Sequence, residues 1–474
     1  METILSVGID VGTTTTQMVF SRLYMENTAG IYNVPKVSIT DKQVIYRSEV
    51  YETPLFDREH IDADRIRDLA ESVYTDAGIR PEDVSTGAVI ITGESARKEN
   101  AESIVRTLAG MAGEFVVSAA GPDMESEIAG KGSGAWRASQ DNHCRDVNLD
   151  IGGGTTNAVL FNRGRTVMTG CIDVGGRLIR VKKDGTVTGF SPAAKEVADS
   201  LGVPLDEGMR DEAALRSIAA RMASLIAEMV GLKERSLLYD RVITPDSNPF
   251  DMIAVPDALC YSGGVADAVK GIFPETEPYR FGDIGILLGT AIREDPYLRT
   301  LEHIEADNTI SATVIGAGNY TTTVSGSTIS ADASLLPVKN LVVYRVTELE
   351  QERLFEGDGA EFGENLKRHI EMNGKDIAIA MRGLQDPTYM QVKRLAAALA
   401  QAADAAMPAE RPLIPVFEND MAKVFGMCFR SVSKRELLSI DGIAVQSADH
   451  IDIGRPIVGG LVVPVVVKTL LFGR

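Results

Sequence analysis

Apolar positions along the chain follow the period of a strand in some stretches and of a helix in others. Ile4 to Ile9 reads as a short strand that turns at Asp10 to Thr16 and resumes as a strand from Gln17 to Leu23. Gln43 to Tyr51 is strand-like, and Ile61 to Ala77 has helical spacing that stops at Gly78, a residue that readily ends a helix. Ala88 to Ile91 predicts a buried strand, with a helix expected to begin in Thr92 to Ala96 and run past Ile104. Phe115 to Ser118 predicts the next strand, and Gly121-Pro122 opens a helix through Ile128. Strands and helices in alternation predict an α/β layer.

A second cycle starts at Val147. Val147 to Phe161 reads as strand, glycine turn, strand, and Ala213 to Val230 as a long helix with apolar Leu215, Ile218, Met222, Leu225 and Met229. Cys260 to Val265 predicts a strand-to-helix turn, Phe281 to Ile292 a helix, and Ala312 to Ile329 a return to strands. From about Ser330 the pattern becomes a further α/β unit whose only phosphate-type glycine pair is Gly459-Gly460. The expected organisation is a first domain over 1–144, a second over 145–330 and a C-terminal α/β region over 331–474.

The two cycles contain a repeat. The segment from Asp10 to Phe20 aligns without gaps on the segment from Asp150 to Leu160, so that Asp10 meets Asp150, Gly12 meets Gly152, and Thr15-Thr16 meet Thr155-Thr156. Such duplication predicts two similar domains facing one another. Glycine lets a turn be sharp and lets its N–H groups approach an oxyanion closely, and threonine hydroxyls add hydrogen bonds. An aspartate at the strand end repels phosphate, but it can hold a hydrated Mg2+ or position an attacking water. Two such hairpins on opposite walls would clamp a triphosphate.

The residues from Gly8 to Thr14 and from Leu149 to Thr155 resemble the two phosphate motifs of the actin/Hsp70/sugar-kinase superfamily, and those from Tyr261 to Val265 resemble its adenosine motif. The resemblance implies duplicated, ribonuclease H-like ATPase domains facing a nucleotide cleft. It assigns Asp10 and Asp150 to Mg2+ and water, and Gly12, Thr13, Thr14, Gly152, Gly153, Gly154 and Thr155 to the phosphates of ATP or ADP. Gly263 and Gly264 would make room for the adenosine. Glu94, after a strand and opening a helix, is a further catalytic candidate for positioning water, although an acid there also suits a helix N-terminus. Asp173 to Arg177 forms a turn that either shapes the second domain or reaches phosphate through Arg177, and Asp283 reads as a helix cap.

Competing sites find little support. There is no Gly-x4-Gly-Lys-Ser/Thr segment, and Val314 to Asn319 imitates a dinucleotide fingerprint without its third glycine; it reads as a tight turn at the cleft. The histidines at 60, 143, 303, 369 and 450 make no metal-binding set, and the cysteines at 144, 171, 260 and 428 show no CxxC spacing. Isolated cysteines suit a reducing compartment. A net charge of -19 disfavours nucleic acid and acidic membrane surfaces as partners. Met1-Glu2 enters a strand with no basic stretch before it, so no secretory signal is expected.

Beyond these motifs, the chain resembles the ethanolamine ammonia-lyase reactivating factor family from end to end. The resembling stretches are Ser6 to Leu23, Ile90 to Ala96, Gly121 to Ser126, Asp173 to Leu178, Phe281 to Leu288, Ala312 to Gly318, Ser325 to Thr328, His450 to Pro456 and Val462 to Leu470. That resemblance implies an ATP- and Mg2+-dependent chaperone-like ATPase with ethanolamine ammonia-lyase as partner. It would exchange damaged or cyano-cobalamin for intact adenosylcobalamin. The cofactor is expected to stay with the lyase, because no Asp-x-His-x-x-Gly segment is present. The expected location is the cytoplasm, with a bacterial microcompartment compatible with the family's pathway; self-association stays open. A small-molecule kinase and an actin-like structural ATPase are the alternatives from the same superfamily.

Overall fold

A computed structural model describes residues 2–12, 15–27, 37–57, 60–91, 95, 100–109, 111, 116–119, 121–245, 247–248, 250–252, 254–274, 276–320, 323–324, 329–373, 377–445, 449–454, 456 and 463–469. The first sheet contains β1 (Glu2–Val11), β2 (Thr15–Asn27), β3 (Val37–Arg47), β4 (Tyr51–Glu52), β5 (Val84–Ile91) and β6 (Val116–Ala119). Its order is β3-β2-β1-β5-β6, with β4 paired to β2. The second sheet contains β7 (Arg145–Ile151), β8 (Thr156–Asn162) and β9 (Arg165–Ile172), then, after a small β10 (Ile179–Val181) and β11 (Val187–Phe190) ribbon, β12 (Ala258–Ser262) and β13 (Glu302–Ile304). Its order is β13-β12-β7-β8-β9.

Both sheets have one topology. In each, the first three strands form an antiparallel meander and two later strands add in parallel beside the first. The internal repeat in the sequence is therefore a repeat of architecture, and the α/β expectation with duplicated domains of this type holds.

The alternation along the two leading strands is also shared. Val7, Ile9 and Val11 enter one core, and Val147, Leu149 and Ile151 enter the other. The opposite faces carry Ser6, Gly8 and Asp10, and Asp146, Asn148 and Asp150. Each of these polar faces is covered by a helix from the other half of the repeat. The Pro122–Gly132 helix follows β6 yet packs on β7, β8 and β9, while the Ala312–Tyr320 helix follows β13 yet packs on β1, β2 and β5.

The two helices cross at backbone contact. A Cβ on Gly132 would lie 1.8 Å from Ala312 O, and one on Gly316 would lie 2.0 Å from Ile128 O. On β1, a Cβ at Gly8 would lie 2.3 Å from Val314 O. Here the structure corrects the sequence reading: Ala312–Tyr320 is helical where strands were expected, so Val314 to Asn319 forms no tight turn, and Gly316 belongs to a helix crossing. The expected helix at Phe281 begins later, at Gly285. The Ala63–Ala77 helix ends as expected at Gly78, which has φ 66°.

The third sheet contains β14 (Thr323–Val324), β15 (Ile329–Ala331), β16 (Val338–Arg345), β17 (Ile377–Met381), β18 (Pro415–Phe417), β19 (Leu438–Ile440), β20 (Asp449–Ile453) and β21 (Pro464–Thr469). Strands β16 to β19 run in parallel in sequential order, with apolar cores on either face. β21 packs near β6 of the first sheet. Among the described residues no helix is long and apolar enough to cross a membrane.

These packings generate two testable outcomes. Gly316→Ala should lower the unfolding free energy by roughly 1–3 kcal/mol, because its methyl must displace main chain. Gly264→Ala, whose Cβ would meet nothing within 4 Å, should change it by less than about 0.5 kcal/mol. Denaturant titration checks both, and equal effects would contradict the crossing. The second outcome concerns Asp146, which is fully buried with neither carboxyl oxygen hydrogen-bonded among the described residues. Burial raises its pKa from 3.8 to about 8. The unfolded chain releases this proton at lower pH than the folded one, so the site loses stability as pH rises between those values. Asp146→Asn mimics the neutral acid, and its melting-temperature margin over the wild type should grow from about pH 5 to about pH 8. A margin independent of pH would overturn that reading.

Candidate functional site

The two hairpin turns close by the same hydrogen bond. Gly12 N donates to Thr15 O at 2.8 Å, and Gly152 N donates to Thr155 O at 2.9 Å. The strand registers leading into them also match, Val11 opposite Thr16 and Ile151 opposite Thr156. Each first glycine carbonyl is held from behind. Gly12 O accepts from Thr53 Oγ1 at 2.8 Å and Ser95 Oγ at 2.9 Å, while Gly152 O accepts from Gly176 N at 3.0 Å. Arg177 N donates to Gly153 O at 2.7 Å. Among the described residues no backbone carbonyl accepts from the amides of Gly153 and Gly154, so these donors stay available to a ligand.

Asp150, next to last in β7, is almost fully buried, at 5% exposure. Its Oδ1 accepts from Ser262 Oγ at 2.6 Å and its Oδ2 from Thr313 Oγ1 at 3.4 Å. Burial raises its pKa to about 6, and the two hydroxyl hydrogen bonds oppose that rise. The carboxylate heads a buried polar chain. Ser262 Oγ accepts from Asn148 Nδ2 at 3.0 Å, and Asn148 Oδ1 accepts from Ser133 Oγ at 2.8 Å at the end of the Pro122–Gly132 helix. Hydrogen bonds at every link allow these polar groups to be buried together.

Asp10 holds the equivalent position on β1, opposite Gln17 on β2 and Ile90 on β5, and is half-buried. Among the described residues no three His, Cys, Asp or Glu side chains group into a metal cage. A carboxylate donor suits a Mg2+ that keeps several waters and takes further ligands from phosphate better than a dehydrated, all-protein site.

The glycine turn after β12 completes the arrangement. Gly263 has φ 86°, and a Cβ there would lie 2.4 Å from Ile151 O, so this turn is pressed against the second hairpin. Gly263 N donates to Thr309 O, and Val265 N donates to Ile151 O, both at 3.1 Å. Gly264 is exposed, and a Cβ there would meet nothing within 4 Å.

The structure thus joins Asp150, Gly152, Gly153, Gly154, Thr155 and Gly263 in one neighbourhood, with Gly264 beside it. Thr13, Thr14 and Glu94 lie outside the described residues, although Ser95 reaches Gly12 directly. Asp173 accepts from Thr244 Oγ1 at 2.7 Å and belongs to the turn that supports the second hairpin. Asp283 Oδ1 accepts from Gly285 N at 2.9 Å, but Asp283 is not the expected cap: the N-cap of the Gly285–Glu294 helix is Ile284, one residue later. Sequence reasoning missed Thr53, Ser133, Asn148, Ser262 and Thr313. Asn148 and Ser262 sit two residues before Asp150 and one before Gly263, so the face opposite each apolar strand face was the available signal.

Comparison with known proteins gives a consistent result over the whole chain. Residues 2–473 match the family model described as ethanolamine utilisation protein EutA. An ethanolamine ammonia-lyase reactivase EutA from Salmonella typhimurium is 37% identical over 99% of this chain and 98% of its own length. The protein of that name from Escherichia coli strain K12 is 36% identical over the same shares. Among solved structures, component A of the (R)-2-hydroxyglutaryl-CoA dehydratase of Acidaminococcus fermentans overlaps 67% of this chain and 97% of its own. That overlap has a TM-score of 0.34 and 14% identity, a likeness too loose to bear on function. With a family match spanning both hairpins and all three sheets, the chain belongs to the EutA family of ethanolamine utilisation proteins.

Proposed function

We propose that this protein is an ATP-dependent reactivase of ethanolamine ammonia-lyase. In this reading it uses ATP to release damaged or cyano-cobalamin from the lyase, so that intact adenosylcobalamin can enter. The observation that carries the nucleotide part is the pair of hairpins closed by the same Gly N to Thr O hydrogen bond. The partner is supported by the reactivase name of relatives that align over nearly the full chain.

The amides of Gly12 and Gly152 close the two turns, so the phosphates would take hydrogen bonds from Thr13 and Thr14 after Gly12, and from Gly153, Gly154 and Thr155 after Gly152. Asp10 and Asp150 would hold a Mg2+ ion and help orient the attacking water, with Glu94 as a further candidate for that water. The ion, when bound, neutralises the charge that develops on the phosphates. Ser262 and Thr313 keep the Asp150 carboxylate fixed. Gly263 and Gly264 give the adenosine its surface.

Each wall belongs to one of the two like sheets, so phosphate contacts made from both would draw them together. Nucleotide then shifts affinity for the lyase by the difference in how the two closure states bind it. The regions 1–144 and 145–330 would act as the two ATPase domains, and 331–474 as the surface that meets the lyase. Adenosylcobalamin remains a cofactor of the lyase.

Lyase inactivated with cyanocobalamin, then mixed with this protein, adenosylcobalamin, Mg2+ and ATP, tests the reading. Activity should return only with ATP. Asp10→Ala and Asp150→Asn should slow both ATP hydrolysis and recovery by roughly 100-fold or more. The asparagine at 150 can still accept from Ser262, which keeps the buried chain intact. ATP hydrolysis without any recovery would preserve the nucleotide site and overturn the reactivase assignment in favour of a small-molecule kinase.

A further inference from the structure

Arg177 stands where the two hairpin-bearing sheets come within ion-pair reach. Its amide is bonded to Gly153 O at 2.7 Å, which fixes its backbone to the second turn. Its guanidinium Nη2 lies 3.3 Å from Glu52 Oε1. Glu52 belongs to β4, directly opposite Thr15 of the first hairpin, and the next residue, Thr53, donates to Gly12 O at 2.8 Å. Each end of this ion pair is therefore anchored through the main chain to one of the two turns.

The two partners are unequally held. The Arg177 side chain is 27% exposed, whereas that of Glu52 is 83% exposed. An exposed carboxylate loses little on leaving such a pair, since solvent screens it and its side chain regains freedom. Arginine also has a planar fork that phosphate can take in two parallel hydrogen bonds, with more charge than one carboxylate offers. A second acid, Asp283, faces the same guanidinium: burial raises the Asp283 carboxyl, and the charge of Arg177 pulls against that rise. Asp283 is tied to Gly285 N, so Glu52 is the exchangeable partner.

We propose that Arg177 recognises the terminal phosphate of a nucleoside triphosphate and that Glu52 occupies Arg177 until that phosphate arrives. This rests on the nucleotide reading above and adds a residue that separates triphosphate from diphosphate. With diphosphate bound, Arg177 keeps Glu52. With triphosphate bound, the guanidinium turns to phosphate, and the ion pair between the two sheets is exchanged for a phosphate bridge between the two turns.

Calorimetric titration with the non-hydrolysable analogue adenylyl imidodiphosphate and with ADP, each with Mg2+, tests this on the full chain. Arg177→Met should weaken the triphosphate analogue by roughly 10- to 100-fold, the range for loss of charge-assisted hydrogen bonds, and change ADP by less than about two-fold. Glu52→Gln, an exposed and conservative change, should tighten the triphosphate analogue by roughly two- to five-fold and leave ADP unchanged. Shifts of equal size for both nucleotides, or none in either variant while the wild type binds both, would overturn the role of Arg177 and leave the nucleotide site standing. A wild type that binds neither nucleotide would overturn both.

Discussion

At Gly132 and Gly316 two helices touch through their main chains, and neither position has room for a methyl group. This crossing sets the distance between the two like sheets, because each helix rises from one half of the repeat and lies on the other. Gly8 extends the same constraint to β1, where Val314 O occupies the space a side chain would need. Interiors this tightly packed move between discrete arrangements more readily than they deform.

The crossing also serves the chemistry. Thr313 comes one residue before Val314, so the helix that packs on β1 places a hydroxyl against Asp150 on β7. Asp150 is thereby bonded from its own sheet through Ser262 and from the crossing helix through Thr313. A carboxylate at 5% exposure with a pKa near 6 remains ionised at neutral pH because those hydroxyls partly replace water. Asp146, earlier on the same face of β7, has no such donors among the described residues and is pushed to about 8. Burial thus raises two carboxyls on one strand face to different degrees, according to their donors.

The parts legible in the sequence are those whose physics is local. The alternation of Val7, Ile9 and Val11, repeated at Val147, Leu149 and Ile151, shows on inspection, as do the glycines and threonines of the turns. The 312–320 helix was not legible, and its burial explains why. Ala312, Val314 and Ile315 are buried, as are Thr313 and Gly316, so no polar stripe marks a helical period. Valine, isoleucine and glycine also favour other conformations locally, and packing overrides them. Misreading that segment hid Thr313. The Arg177–Glu52 pair was hidden differently: its members are 125 positions apart, and only the facing of two sheets brings them together.

Everything proposed for this site depends on one nucleotide being held by both turns together. Hydrogen exchange on the full chain, with and without Mg2+ and adenylyl imidodiphosphate, probes that directly. Amides in 13–15 and in 153–155 should both become protected on nucleotide addition, with the same concentration dependence, as donors taken up by one ligand must. Protection confined to one turn, or at two different concentrations, would contradict a shared triphosphate between the sheets.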